Sequence, residues 1–201
     1  MNYAGLIAEV RAQVDVTDDQ AYAWLLDRAR VLNAEAQWLL TEVSVSAVPG
    51  GATGQWEYQL PADLIKTEAV VINGIPFRRS TLAQMDDARA SRSARRIYSD
   101  AVDPILQGRL LALWPPPQGD VQIVLRYLRD VPDDRAGDPP FPEDLHQSLA
   151  DGAIATGLAR MDERFDSAGY FEARFTDAVA RLKRRRNSRA GRGGTRIRVV
   201  S

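Results

Sequence analysis

His146 is the one histidine of the 201 residues, and in FPEDLHQSL it follows closely on Glu143 and Asp144. An imidazole beside carboxylates is the commonest general base. The competing reading is a packing histidine near a helix start, and nothing else in the sequence completes a catalytic set. The absence of cysteine removes thiolate nucleophiles, thiolate metal sites and any disulfide framework. A lone imidazole excludes sites built on two. Lys66 and Lys183 are the only lysines. No phosphate loop, dinucleotide fingerprint or G-x-S-x-G elbow is present. Asp18/Asp19, Asp86/Asp87 and Asp133/Asp134 are acidic pairs, but adjacent acids point apart on a helix and a metal site needs convergence. Trp24, Trp38, Trp56 and Trp114 are scattered, as core or interface anchors are. Neither a cofactor nor an enzymatic activity is expected.

What remains is the chemistry of arginine. Nine of the 26 basic residues lie from Arg181 onward, where there is no acid, so the rest of the chain sets 17 basic residues against 27 acids. A body near −10 thus carries an end near +9. Such an arm reads as an interaction segment, while the acidic body would repel phosphate. Arg184, Arg185, Arg186, Arg189, Arg192, Arg196 and Arg198 offer forked donors that match carboxylates or phosphates. A second cluster, SRSARR, holds Arg92, Arg95 and Arg96. It reads as a solvated loop, or as a contact with an acidic neighbouring subunit or with DNA.

The elements that must position these residues come from periodicity. Residues 2–14 and 17–40 have apolar residues at helical spacing, the second behind a Thr17–Gln20 capping box. TEVSVSAV, QWEYQL and residues 67–72 read as strands, and Asn73-Gly74 as a hairpin turn. A short helix capped by Ser80 or Thr81 follows. Residues 109–114 and 121–127 are two further strands around PPPQGD. Helices over 142–161 and 167–186 close the body. The expected fold is α+β but mainly α: a bundle of about four main helices with a small antiparallel sheet inserted over about 41–128. Residues 1–186 form the domain, and 187–201 an extended basic tail. The N-terminus lacks signal-peptide character and no apolar run could span a membrane, so a soluble protein made in a cytoplasm is expected.

WEYQLPADLIK, VVING, LALWPPP, IVLRY and PFPEDLH, in this order, resemble the head–tail adaptor (connector) proteins of tailed bacteriophages. The resemblance covers roughly residues 17–186. It implies a structural virion protein of the neck, assembled in the host cytoplasm. Such adaptors form a ring, usually of twelve copies, between the portal protein and a stopper or tail protein, and extend the DNA channel without a catalytic residue. The family's C-terminal segment grips the portal. Here that segment carries the arginines from Arg184 to Arg198 and a β-branched end, Thr195, Ile197, Val199 and Val200, suited to adding a strand to a sheet edge. Gly191, Gly193 and Gly194 would let it turn, and its DNA contacts would be non-specific. Arg92, Arg95, Arg96, Pro115 and Pro116, with the Gly50–Gly54 tip, are candidate contacts to ring neighbours or the next neck component. The alternative is a nucleic-acid-binding module acting through the basic arm. A further one is a disordered solubility extension.

Overall fold

The computed structural model describes residues 1–47, 57–103, 108–116, 121–160 and 165–192. In chain order the elements are α1 (Tyr3–Gln13), α2 (Asp18–Ala36), β1 (Leu40–Ala47), β2 (Glu57–Gln59), β3 (Leu64–Ile72), β4 (Ile75–Arg79), α3 (Leu82–Ala90), β5 (Ile97–Asp103), β6 (Gly108–Trp114), β7 (Val121–Arg129), α4 (His146–Leu158) and α5 (Phe165–Arg192). They divide into two compact units, residues 1–39 with 131–201, and residues 40–130. None of the helices among the described residues is long and apolar enough to cross a membrane.

The helical unit is organised around α4. Ser148, Leu149, Ala150, Asp151, Gly152, Ala153, Ile154 and Ala155 are consecutive and all buried. A helix covered on every side is a central one. Its small residues allow close approach: a Cβ on Gly157 would lie 2.7 Å from Trp24 Cζ3, and one on Gly152 2.8 Å from Phe175 Cδ2. Leu25 and Leu32 of α2, Leu6 and Val10 of α1, and Phe175 and Leu182 of α5 complete the core. The capping box holds as expected, with Gln20 N donating to Thr17 Oγ1 and Thr17 N to Gln20 Oε1, both at 3.3 Å. The helix stops at Gln37, in the left-handed region at φ 47°, and so ends before the expected residue 40. Leu40 already belongs to β1.

The second unit is a seven-stranded sheet in the order β1-β7-β3-β4-β5-β6-β2. Asn73 and Gly74, at φ 47° and 77°, make the tight β3–β4 hairpin. The chain then crosses through α3 and returns as β5, so β4 and β5 pair in parallel, at Arg78↔Ile97 and Arg79↔Tyr98. All other pairings are antiparallel. Thr81 caps α3 in a second capping box with Gln84. Met85 and Ala88 of α3 pack on Ile97 and Ala112, while Leu64, Val70, Tyr98, Leu113 and Leu125 form a larger cluster within the unit.

These findings overturn the expectation of a mainly helical bundle with a small antiparallel insertion. Among the described residues there are five α-helices and one large mixed sheet, and the sheet belongs to a compact unit of its own. The strand absent from the sequence reading is β5. Ile97, Tyr98 and Ser99 are all buried, Ile97 under α3 and Tyr98 in the larger cluster, so no alternation marks it. At the other end, α5 runs on from Arg186 to Arg192, which moves the expected start of the extended tail. Arginine and alanine are strong helix formers, and cations are favourable at a helix C-terminus. The opening of the expected 142–161 helix is a 3-10 turn, Glu143–Leu145, and α4 ends at Leu158.

Candidate interaction site

The candidate general base has a structural setting. His146 is 4 % exposed. Its Nε2 lies 2.9 Å from Phe141 O, and its Nδ1 lies 2.8 Å from Met1 O and 3.2 Å from the Met1 nitrogen. Both ring nitrogens are thereby spent on joining the start of α1 to the turn before α4. The acidic pairs also have partners. Arg135 Nη1 reaches Asp19 at 2.6 Å and its Nη2 reaches Asp18 at 3.8 Å, and Tyr22 donates to Asp133 at 2.7 Å. Among the described residues no group of three or more His, Asp or Glu could hold a metal ion. Burial and the Asp133 and Asp134 charges push the Tyr3 hydroxyl up to about 12. Burial, the hydrogen bond to Asp133 and the nearby acid charges push that of Tyr22 higher still. Asp15 and Asp138 are exposed close in sequence to these acids, so this end of the helical unit is an acidic patch.

The basic end of α5 is partly tied to its own unit. Lys183 Nζ meets Glu35 Oε2 at 2.6 Å. Arg185 holds Asp144 through Nη1 to Oδ1 at 2.8 Å and Nη2 to Oδ2 at 2.6 Å. Arg184 approaches Asp177 at 3.9 Å and donates to Ala180 O at 3.3 Å. The paired cations hold the Glu35 and Asp144 carboxyls below their ordinary range, chiefly through hydrogen bonding. Arg186 has no ion-pair partner among the described residues. Arg189 and Arg192 stand on the last turns of the helix. Thr195, Arg196, Ile197, Arg198, Val199 and Val200 lie outside the described residues, as do Gly50–Gly54 and Trp56.

The second arginine cluster faces a cleft of about 920 Å³ in the sheet unit. Arg95 and Arg96 enter it from the loop after α3, and Arg78 and Arg79 from β4. Arg79 is engaged with Asp100, whose Oδ1 accepts from Nε at 3.1 Å and from Nη2 at 2.8 Å. Arg78, Arg95 and Arg96 are exposed, and none of them has an ion-pair partner among the described residues. Ser80, Ser91 and Ser93 add hydroxyls to the wall. The loop is anchored: Arg92 turns it at φ 49°, and Trp114 Nε1 donates to Ser93 O at 2.9 Å. That bond brings the arginine loop beside the Trp114-Pro115-Pro116 exit of β6, where Pro115 is exposed. Sequence reasoning singled out Arg95, Arg96, Pro115 and Pro116 but missed Arg78 and Arg79. Their signal was two adjacent arginines on a strand only five residues long, directly before a helix cap.

No curated protein matches the sequence at a significant level. Residues 1–198, nearly the whole chain, match the model of the family described as SU10 adaptor protein. The chain therefore belongs to the SU10 adaptor protein family, in agreement with its resemblance to tailed-phage head–tail adaptors.

Proposed function

We propose that the chain is a non-enzymatic virion protein of the phage neck, a head–tail adaptor. It forms a ring between the portal and the next stopper or tail protein, and the ring continues the DNA channel. Twelve copies are expected from the resemblance. The C-terminal arm, residues 187–201, anchors the ring to the portal, and assembly takes place in the host cytoplasm. The observation that carries this reading is the adaptor-family match over residues 1–198. The division of charge supports it, since an acidic body is a poor general partner for DNA while a basic arm pairs with carboxylates. The test is the number of copies that purified full-length chain adds to DNA-packaged, tail-less heads, compared with a chain lacking residues 187–201. Saturation at a fixed multiple near twelve, lost on truncation, is the expected result. A truncated chain that still loads to the same level would sink the anchor. A chain that ignores heads but binds bare duplex DNA steeply with falling salt would establish the nucleic-acid arm instead.

A further inference from the structure

We infer that the arginine cleft of the sheet unit is the socket for the acidic patch of a second copy of this chain. Arg78, Arg95 and Arg96 have no ion-pair partner among the described residues, and Ser93 and Ser80 stand beside them. Guanidinium and hydroxyl donors select anionic oxygen. A space of about 920 Å³ is far larger than one small anion and is suited to a chain segment. Asp87 is exposed and shares the cleft wall with Arg78, Arg79, Arg95 and Arg96, so a basic cleft carries one carboxylate. A continuous polyanion such as DNA would meet that carboxylate, whereas separate aspartates can be placed clear of it.

The occupant of matching charge is on the same chain. Asp15, Asp18, Asp19, Asp133, Asp134 and Asp138 are exposed on the helical unit, and the cations that pair with them there are Arg11 and Arg135. The Tyr3 hydroxyl, raised chiefly by its burial, is raised further by the charges of Asp133 and Asp134. Two different, complementary surfaces on one chain make a head-to-tail contact, and such contacts close into rings when the rotation permits. The inference rests on the ring reading above and names which surfaces meet.

The test uses full-length chain and packaged, tail-less heads, with bound copies counted by quantitative mass spectrometry. One variant reverses the socket (Arg78→Glu, Arg95→Glu, Arg96→Glu). A second reverses patch residues that have no ion-pair partner among the described residues (Asp15→Lys, Asp138→Lys). Circular dichroism establishes that each is folded. Like charges brought together at an interface suppress pairing, so each variant alone should load at least about tenfold fewer copies. Mixed in equal amounts they should regain most of the lost loading, because in alternating copies the reversed socket faces the new lysines and the unaltered socket faces the unaltered patch. If the socket variant alone loads normally, the socket is wrong and the ring stands. If both variants fail and the mixture fails too, the cleft serves the portal, the next neck protein or DNA, and the inference is overturned. If wild-type chain adds at most one copy per head, the ring reading falls and the socket with it.

Discussion

Arg185 of α5 and Asp144 of the turn before α4, 41 residues apart, share two parallel hydrogen bonds of 2.8 and 2.6 Å. An arginine that the sequence assigns to a portal-gripping arm is thus held by its own unit. The bond pulls the Asp144 carboxyl below its ordinary 3.8. The stability it contributes is therefore fully present above that ordinary value and lost as pH falls through the depressed one. Asp144→Asn should be modestly less stable than wild type at neutral pH, since both side chains are nearly half exposed. Urea unfolding followed from neutral into acid solution should show the two curves converging at the acid end.

Asp151 should behave oppositely. It is 1 % exposed in the middle of α4, and neither carboxylate oxygen has a hydrogen bond among the described residues. Arg174 Nε lies 3.2 Å from Oδ2, but out of hydrogen-bonding alignment. Burial outweighs the pull of Arg174, and Glu9 adds to it, so the carboxyl is held above its ordinary 3.8. The folded chain then binds this proton more tightly than the unfolded one. The contribution is greatest below the ordinary value and is lost as pH rises through the raised one. Asp151→Asn keeps the shape and removes the charge, so it should match or exceed wild-type stability at neutral pH. The difference should fade on acidification in the same unfolding series. A neutral-pH loss in this variant would mean that the Arg174 pairing dominates.

Much of the fold was legible where a local rule governs the backbone. Thr17 with Gln20, Thr81, and Asn73-Gly74 each do what their chemistry requires. The sheet was underread because its extent depends on partners distant in sequence. β5 is sandwiched and shows no alternation, and the parallel β4–β5 pairing is set by the crossover through α3. The same limit applied to the candidate site. Arg95 and Arg96 stood out as a charge run, but Arg78 joins them only through the ladder in which Arg78 N donates to Arg96 O at 3.0 Å. That Lys183 and Arg185 have partners on α2 and beside α4 could not be read from a one-signed run.

Two glycines on neighbouring helices should respond with opposite signs. Alanine is a better helix former than glycine by about 0.5–1 kcal/mol. At Gly169 a new Cβ meets nothing within 4 Å, so Gly169→Ala should stabilise by about that amount. At Gly157 the new Cβ would lie 2.7 Å from the rigid Trp24 ring and 2.9 Å from Val14 Cγ1. Overpacking a dense core costs about 1–3 kcal/mol, which exceeds the helix gain. Gly157→Ala should therefore lower the urea midpoint, and Gly169→Ala should raise it. A stabilised Gly157→Ala variant would show that α2 can draw back from α4.

The end of α5 should separate folding from docking at a sharp position. Leu182 is fully buried in the helical core. Lys183 and Arg185 make the last ion pairs of α5 to other elements among the described residues, and Ser188 bonds only back to Arg184 O within the helix. Removing residues 187–201 should therefore change unfolding stability by no more than about 0.5 kcal/mol, as for surface changes away from packed features. Ending the chain before Leu182 removes a filled core position as well, at a cost of about 2–5 kcal/mol. Denaturation of the two truncated chains checks this directly. With residues 187–201 dispensable for folding, their loss can affect head loading only through docking. A chain truncated at Arg186 that unfolds much more easily than wild type would instead make the arm part of the helical unit's own stability.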